Sequence, residues 1–297
     1  MQVFLHIGLH KTATTYLQNQ VFPRLSMPFV QAAGPVLRRL GWQQGYLFDP
    51  DAVRASLLAG IDPSCEAVLI SSEAFTGDPF LAYVNREQAL DRLHRAFPDA
   101  RVLLGVRGQR TLLWSLYKHQ LRFGGARPLQ EMLDEAGHWG PGWLDPESFL
   151  YTPFVASLAE RFGSPPHLLV YEHLQHDRDR YLGDLLAFLG AELEGAVSAG
   201  RMNEAAVGDR EVRARRALNR LALNRGRSQG VLPLPRSIQA GVVRTAGRLA
   251  RGAPDQLVLD ALADRYRPDN LLLDERYGLR LGEHPAVAAS WYLDAPT

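Results

Sequence analysis

The sequence has almost no cysteine and almost no lysine. Cys65 is its only cysteine, so no disulfide can form within the chain, and the sequence fits a reducing compartment. Lys11 and Lys118 are the only lysines, although Lys and Arg together number 33. Because lysine is so rare, a lysine within a distinctive loop is poorly explained as an incidental surface charge.

Long apolar runs and a large net charge are also missing. No run of about 18 apolar residues occurs, so we expect no transmembrane segment, and the first residues lack the basic start of a signal peptide. A formal net charge of +1 gives no general field that attracts nucleic acid, so we expect no nucleic-acid partner. Together with the single cysteine, these features predict a cytoplasmic protein.

The remaining pattern is that of an α/β protein. Compact apolar runs, which are typical of buried parallel strands, alternate with amphipathic helical segments. The runs occupy residues 3–7, 29–34, 67–70, 101–107 and 167–174. We therefore expect a central, mostly parallel sheet flanked by helices in three layers. We predict a single domain over 1–297, with an α/β core at 1–200 and a mostly helical, Arg-rich extension at 201–297.

The segment after the first strand is typical of an anion-binding loop. It reads His10-Lys11-Thr12-Ala13-Thr14-Thr15 and lies between a strand and the start of a helix. Backbone N–H groups at a helix start attract anions, hydroxyls add hydrogen bonds, and Lys11 adds a positive charge. A Walker A loop has glycine directly before its lysine, and this loop has His10 there. The alternative is a capped helix after an edge strand, with Thr12 as the N-cap.

The run HIGLHKTATTYLQ resembles the 5′-phosphosulfate loop of sulfotransferases that use 3′-phosphoadenosine 5′-phosphosulfate (PAPS), in their bacterial and carbohydrate-type branch. Arg107, at the end of a strand, and Ser115, eight residues later on a helix, match the spacing of that family's 3′-phosphate site. The family has a P-loop-like fold. The resemblance implies that PAPS would be bound by His10, Lys11, Thr12, Ala13, Thr14, Thr15, Arg107 and Ser115.

One position departs from the family pattern, and two later ones extend it. Ala13 stands where the family usually has glycine, so a positive φ at this position would strain the backbone. Arg201 and Asn203 match an Arg-x-Asn in a basic segment that, in the family, folds back over the 3′-phosphate. The resemblance therefore adds Arg201 and Asn203 to the residues that would bind PAPS.

The resemblance also implies the chemistry. A sulfuryl group would pass from PAPS to a hydroxyl or amine of a small-molecule or carbohydrate acceptor and leave adenosine 3′,5′-bisphosphate; no metal is implied. Lys11 would neutralise the leaving phosphate. Glu73 follows the second compact strand and is the first candidate for the general base, with His10 as the second. The alternative for Glu73 is a residue that caps or salt-bridges the next helix, and we expect Glu172 to brace the loops.

Two other classes of protein share part of this pattern. A nucleotide-dependent small-molecule kinase of P-loop type should have glycine before the lysine and a Walker B aspartate, whereas the strand in the last apolar run here ends with Tyr171 and Glu172. A non-catalytic nucleotide- or glycan-binding protein also stays open. No motif specifies the acceptor or the oligomeric state.

The C-terminal third is rich in arginine between residues 210 and 251. This segment is either a solvated helical face, a surface for an anionic acceptor, or a contact for nucleic acid or anionic lipid. After it we predict a helix at 256–266, a second helix starting at Pro268, and a loosely packed cap at 284–297. Residues 124–146 are predicted to form a lid over the site.

Overall fold

Five parallel strands form the central sheet of this computed structural model, which describes residues 1–134, 143–197, 209–221 and 255–294. The strands are β1 (Gln2–His6), β2 (Phe29–Gln31), β3 (Ala67–Ser71), β4 (Arg101–Val106) and β5 (His167–Val170). They lie side by side in the order β2-β3-β1-β4-β5. The predicted α/β fold with a parallel sheet is therefore confirmed.

Helices follow the strands along the chain. They are α1 (Thr14–Tyr16), α2 (Pro35–Gly41), α3 (Pro50–Leu57), α4 (Arg86–Ala96), α5 (Gln109–Arg122), α6 (Leu129–Leu133), α7 (Tyr151–Phe162), α8 (Tyr171–His176), α9 (Arg178–Leu189), α10 (Asp209–Leu221), α11 (Asp255–Asp260), α12 (Ala263–Tyr277) and α13 (Pro285–Ser290). The chain continues from α1 as a π-helical turn, Leu17–Val21. Short 3₁₀ turns occur at Phe22–Arg24, Gly45–Leu47, Glu73–Thr76 and Pro146–Phe149.

The two faces of the sheet are buried in separate apolar clusters. On β1, Val3 and Leu5 belong to the larger cluster and Phe4 to the smaller one, because successive side chains of a strand point to opposite faces. The larger cluster contains side chains of α2 to α7 and α10 to α13, and the smaller one contains side chains of α8 and α9. These clusters give the three layers that the apolar runs predicted.

The C-terminal helices pack into the same core as the sheet. Tyr266 and Leu273 on α12 and Trp291 after α13 are fully buried in the larger cluster. The expectation of a loosely packed cap at 284–297 is therefore wrong for its described part, up to residue 294. Trp291 is held because its indole N–H donates to the Glu172 carboxylate at 3.1 Å.

The last apolar run, 167–174, contains a strand and its exit: β5 ends at Val170 and α8 follows directly. One predicted element boundary is wrong. Pro268 does not start a helix but lies within α12. On either side of Pro268, Arg267 donates to Asp294 at 2.9 Å and Asp269 accepts from the backbone N–H groups at the start of α7. Such tertiary contacts hold α12 in place and override local propensity.

The remaining expectations fall partly outside the described residues. The predicted lid at 124–146 includes α6, whose Leu129 and Met132 are buried in the core, while 135–142 are not described. Of the Arg-rich segment, α10 is described and 222–254 are not. Across the described ranges, no helix has the length and apolar character that crossing a membrane requires.

Candidate active site

The candidate site lies where β1 and β4 end, at the centre of the sheet. The chain after β1 stays beside β4, because the Ile7 N–H donates to the Leu103 carbonyl at 2.9 Å and the Leu9 N–H to the Gly105 carbonyl at 3.2 Å. The chain leaves β1 toward β2 on one side, and leaves β4 toward β5 on the other. Ligands of open parallel sheets bind at such a reversal, outside the carboxyl ends of the strands.

Arg107 joins the two loops at this point. Its Nη1 donates to the Lys11 backbone carbonyl at 2.9 Å, and its Nε donates to the Thr111 hydroxyl at 3.0 Å. The guanidinium carbon lies 4.2 Å from the centre of the Tyr171 ring. The side chain is 7% exposed, and Nη2 has no acceptor among the described residues. The two cationic residues predicted from separate loops therefore meet, with one guanidinium N–H group left for a ligand.

The loop backbone has the alternating form of an anion nest. Lys11 has φ of 70° and Ala13 has φ of 67°, and both are unusual for residues with a Cβ atom. Between and after them, Thr12 and Thr14 have negative φ. Such alternation turns successive N–H groups toward one point, where an anion can bind. Ala13 precedes the first residue of α1 in the left-handed region, so the sequence-based expectation of strain at this position is met.

Thr12 holds the inside of the loop. Its hydroxyl donates to the Leu9 carbonyl at 2.5 Å, and the side chain is 1% exposed. A Cβ atom on Gly105 of β4 would lie 2.8 Å from the Thr12 hydroxyl oxygen, so glycine allows this close approach. Thr12 is not the N-cap of α1, since Ala13 occupies that position.

The other predicted ligands have different surroundings. Thr14 is buried, and its hydroxyl has no hydrogen-bond partner within the described residues, whereas Thr15 is exposed. Ser115 lies on α5 and is 1% exposed. Arg201 and Asn203 lie outside the described residues and stay predictions.

Glu73 begins the 3₁₀ turn after β3, on the other side of β1 from Arg107. Ser72, and not Glu73, caps this turn, because the Ser72 hydroxyl accepts from the Ala74 N–H at 3.2 Å. Burial raises the pKa of the Glu73 carboxyl, and the nearby Lys11 charge partly opposes that rise. A carboxylate with a raised pKa beside a lysine is suited to accept a proton.

His10 lies among positive charges. Burial, together with the charges of His119, Lys11 and Arg86, lowers the pKa of His10 to about 4, so the imidazole is neutral near pH 7. Its Nδ1 is buried without a partner in the described part of the chain. The His119 ring on α5 stacks against Phe80 at a centroid distance of 5.7 Å, so α5 contributes an aromatic side to this region.

Glu172 braces the Arg107 loop, as the sequence predicted. Its Oε1 accepts from the Gly108 N–H at 3.1 Å and from the Thr111 hydroxyl at 3.2 Å, while Oε2 accepts from the Trp291 indole. The Tyr151 hydroxyl donates to the Arg107 carbonyl at 2.5 Å. The end of β4 is thereby fixed before any ligand binds.

We compared this structure and sequence with those of known proteins. The crystal structure of a sulfotransferase from Alicyclobacillus acidocaldarius aligns with a TM-score of 0.51 and 19% sequence identity, over 74% of this chain and 93% of that chain. The chain has a sulfotransferase-like fold. No family model matches the sequence, and no curated protein matches it.

Within this sulfotransferase-like fold, several site residues had no sequence motif. Arg86 on α4 lies 3.7 Å from the centre of the Tyr83 ring and donates to two backbone carbonyls. Thr111, in the first turn of α5, accepts the hydrogen bond from Arg107 Nε at 3.0 Å. Across the described ranges, no three side chains of His, Cys, Asp or Glu are grouped as ligands for a metal ion.

Proposed function

We propose that this protein is a sulfotransferase that moves a sulfuryl group from PAPS to a hydroxyl or amine acceptor. The observation that carries the proposal is the hydrogen bond from the Arg107 guanidinium to the Lys11 carbonyl at 2.9 Å. This bond brings a phosphate-binding arginine and a lysine-containing nest to one edge of the sheet. A nucleotide with phosphates on both the 3′- and the 5′-oxygen of one ribose fits such a pair of neighbouring cationic groups.

The residues present fit PAPS as a substrate. The nest of Lys11 to Thr14 would hold the 5′-phosphate with its N–H groups, and the Thr14 hydroxyl, which lacks a partner in the described part of the chain, would add a donor. The Arg107 Nη2 would bind the 3′-phosphate together with Ser115. Thr15, Arg201 and Asn203 belong to the same proposed set on the family resemblance.

Glu73 would act as the general base. It would accept the proton of the acceptor hydroxyl while the acceptor oxygen forms its bond to sulfur and the bond between sulfur and the bridging oxygen breaks. Lys11 would neutralise the charge that develops on the departing phosphate of adenosine 3′,5′-bisphosphate. His10 is the second candidate, although its lowered pKa makes it a weaker base than an ordinary histidine.

Calorimetry with adenosine 3′,5′-bisphosphate and with ATP tests the proposal without knowledge of the acceptor. We expect the bisphosphate to bind more tightly than ATP. Tighter binding of ATP would favour a P-loop-type kinase, and binding of neither would overturn the nucleotide site. Incubation with isotopically labelled PAPS and a panel of hydroxyl acceptors then separates a transferase from a non-catalytic binding protein.

Two variants locate the site. Arg107→Ala should raise the dissociation constant of adenosine 3′,5′-bisphosphate about 10- to 100-fold, since a charge-assisted hydrogen bond is lost. Lys11→Ala should abolish transfer and leave the circular dichroism spectrum unchanged. Arg110→Ala is the matched control, because Arg110 lies three residues after Arg107, at the start of α5, in an exposed ion pair with Asp260. This variant should bind nucleotide as the unmodified protein does.

A further inference from the structure

A line of hydrogen-bonded side chains lies below the anion loop. The Gln31 amide on β2 donates to the Gln18 carbonyl oxygen at 2.9 Å, and the Gln18 amide donates to the Ser71 hydroxyl at 2.9 Å. The Ser71 oxygen lies 2.7 Å from the His6 Nδ1 at the end of β1. These four residues, Gln31, Gln18, Ser71 and His6, are called the glutamine–histidine line below.

The hydrogen bond between Gln18 and Ser71 has a defined direction. The Gln18 amide nitrogen also faces the Ser71 backbone carbonyl at 3.5 Å, and an amide oxygen placed there would meet another oxygen. Gln18 therefore presents its N–H group to the Ser71 hydroxyl oxygen. That oxygen has a second lone pair, so its contact with His6 Nδ1 fits either neutral tautomer of the ring. In one of these tautomers Ser71 donates its hydrogen to Nδ1, and the ring then carries an Nε2–H group.

This Nε2–H group is buried and points at the anion loop. His6 is fully buried, and burial lowers its pKa to about 3, so the ring is neutral. His6 Nε2 and Thr14 Oγ1 both lack a hydrogen-bond partner within the described residues. A Cβ atom on Gly8 would lie 2.9 Å from each of them. Glycine at this position therefore allows the His6 ring and the Thr14 hydroxyl to lie close to the backbone together, since a Cβ atom would crowd both.

We propose that His6 is a positioning residue for the Thr14 hydroxyl. The ring holds the Nε2–H tautomer, and when an anion occupies the nest this N–H donates to Thr14 Oγ1 beside Gly8, a hydrogen bond that the two atoms do not make in this structure. Because one lone pair of Thr14 Oγ1 accepts this hydrogen bond, the Thr14 O–H points toward the nest and donates to the bound anion. The hydrogen bonds of the glutamine–histidine line, which starts on the edge strand β2, fix the tautomer of the His6 ring. The ring in turn fixes the direction of the Thr14 O–H in the loop.

The proposal rests on the proposed anion site, but its first step can be tested without a ligand. Long-range ¹H–¹⁵N NMR of the histidine rings distinguishes the two neutral tautomers. We expect the Nε2–H form for His6 across the range from pH 5 to pH 8. The Nδ1–H form would show that the line of hydrogen bonds is reversed, and it would overturn the proposal.

A double-mutant cycle tests the second step. His6→Phe and Thr14→Val should each weaken binding of adenosine 3′,5′-bisphosphate by about 5-fold, the value of one ordinary hydrogen bond. If His6 acts through Thr14, adding His6→Phe to Thr14→Val causes no further loss. A double variant whose loss of affinity equals the product of the two single-variant losses would overturn the proposal.

Three further variants make the result specific. His6→Gln should keep the affinity for adenosine 3′,5′-bisphosphate within about twofold, because the terminal amide N–H of Gln takes the place of Nε2–H. This variant also tests the proposal if His6→Phe does not fold. Gly8→Ala, at a position without a positive φ, places a Cβ atom 2.9 Å from both His6 Nε2 and Thr14 Oγ1, so it should push them apart and weaken binding like His6→Phe. His94→Phe is the control, since His94 packs on Phe162 away from the loop.

Failure of the proposed function and failure of the proposed role of His6 give different binding results. If the unmodified protein binds neither adenosine 3′,5′-bisphosphate nor inorganic pyrophosphate, the anion site is wrong, and the role of His6 toward an anion is wrong with it. If the bisphosphate binds but the cycle is additive, the anion site stands and only the role of His6 is overturned.

Discussion

At the scale of single residues, Ala13 has a backbone conformation that glycine adopts with less strain. Its φ is 67° and its ψ is 16°, and a residue with a Cβ atom costs roughly 1–2 kcal/mol in the left-handed region. We expect Ala13→Gly to raise the free energy of unfolding by about 0.5–1 kcal/mol in urea titrations. Ala156→Gly, on an exposed position of α7, should lower it by about 1 kcal/mol. Equal losses of unfolding free energy in Ala13→Gly and Ala156→Gly would show that the backbone at Ala13 is not strained.

Glu73 and His10 differ in the direction of their pKa shifts. Burial raises the pKa of Glu73 and lowers that of His10 to about 4. A base must be deprotonated to act, so with Glu73 as the base, kcat/KM rises with pH through a pKa above that of an ordinary glutamate. Glu73→Gln should lower kcat about 10²- to 10⁴-fold and remove this acidic limb.

The pH–rate profile of His10→Ala is the comparison for that prediction. With Glu73 as the base, this variant keeps the acidic limb at the same pH. Loss of the limb in His10→Ala, and its retention in Glu73→Gln, would assign the base to His10 instead.

At the scale of elements, one buried carboxylate connects the ends of three segments. Glu172 on α8 accepts hydrogen bonds from Gly108, Thr111 and Trp291. An amide at this position leaves at least one buried donor unpaired. We therefore expect Glu172→Gln to lower the free energy of unfolding by about 2–4 kcal/mol and to weaken nucleotide binding through Arg107.

Urea titration and calorimetry measure these two effects. Glu160→Gln, an exposed carboxylate on α7, is the matched control and should change stability by less than about 0.5 kcal/mol. Unchanged nucleotide affinity in a folded Glu172→Gln protein would show that the brace does not act on Arg107.

The elements also show what the sequence could predict. β1, β3 and β4 were predictable because strands buried on both faces have continuous apolar runs, and the carboxyl ends of neighbouring strands place Lys11, Glu73 and Arg107 along one edge. The end of β5 was not predictable, since Tyr171 and Leu174 are apolar enough to continue a strand. Glu172, at the start of α8, is held by Gly108, Thr111 and Trp291, which are distant in sequence.

Other contacts of the site depend on three-dimensional packing alone. The positive φ of Lys11, the bond from Arg107 to its carbonyl and the line from Gln31 to His6 join segments far apart in the chain. No local motif encodes these pairs. Pro268 is a similar case, because a local signal for a helix start is overridden by contacts of the flanking residues.

At the scale of the whole molecule, the C-terminal helix α12 caps a helix of the α/β part. The Asp269 carboxylate accepts from the Tyr151 N–H at 2.7 Å and from the Thr152 N–H at 3.1 Å. Next to it, the Asn270 and Gln109 amides hydrogen-bond to each other at 2.8 Å and 2.9 Å. These contacts link α12 to α7 and to α5.

We expect Asp269→Ala to lower the stability of the whole chain by about 1–2 kcal/mol, the usual loss for a missing N-cap. Urea unfolding followed by tryptophan fluorescence and by circular dichroism should give one coincident transition at a lower midpoint. A transition that separates into two steps would instead divide the chain into two domains and contradict the predicted single domain.

The scarcity of lysine has a practical consequence for spectroscopy. Lys11 and Lys118 provide the only two side-chain amines of the chain; Lys11 is half-buried in the loop, and Lys118 is 8% exposed on α5. Reductive methylation with ¹³C-formaldehyde would therefore add two side-chain reporters, one of them within the anion loop. Their chemical shifts could be followed during a titration without isotopic enrichment of the protein.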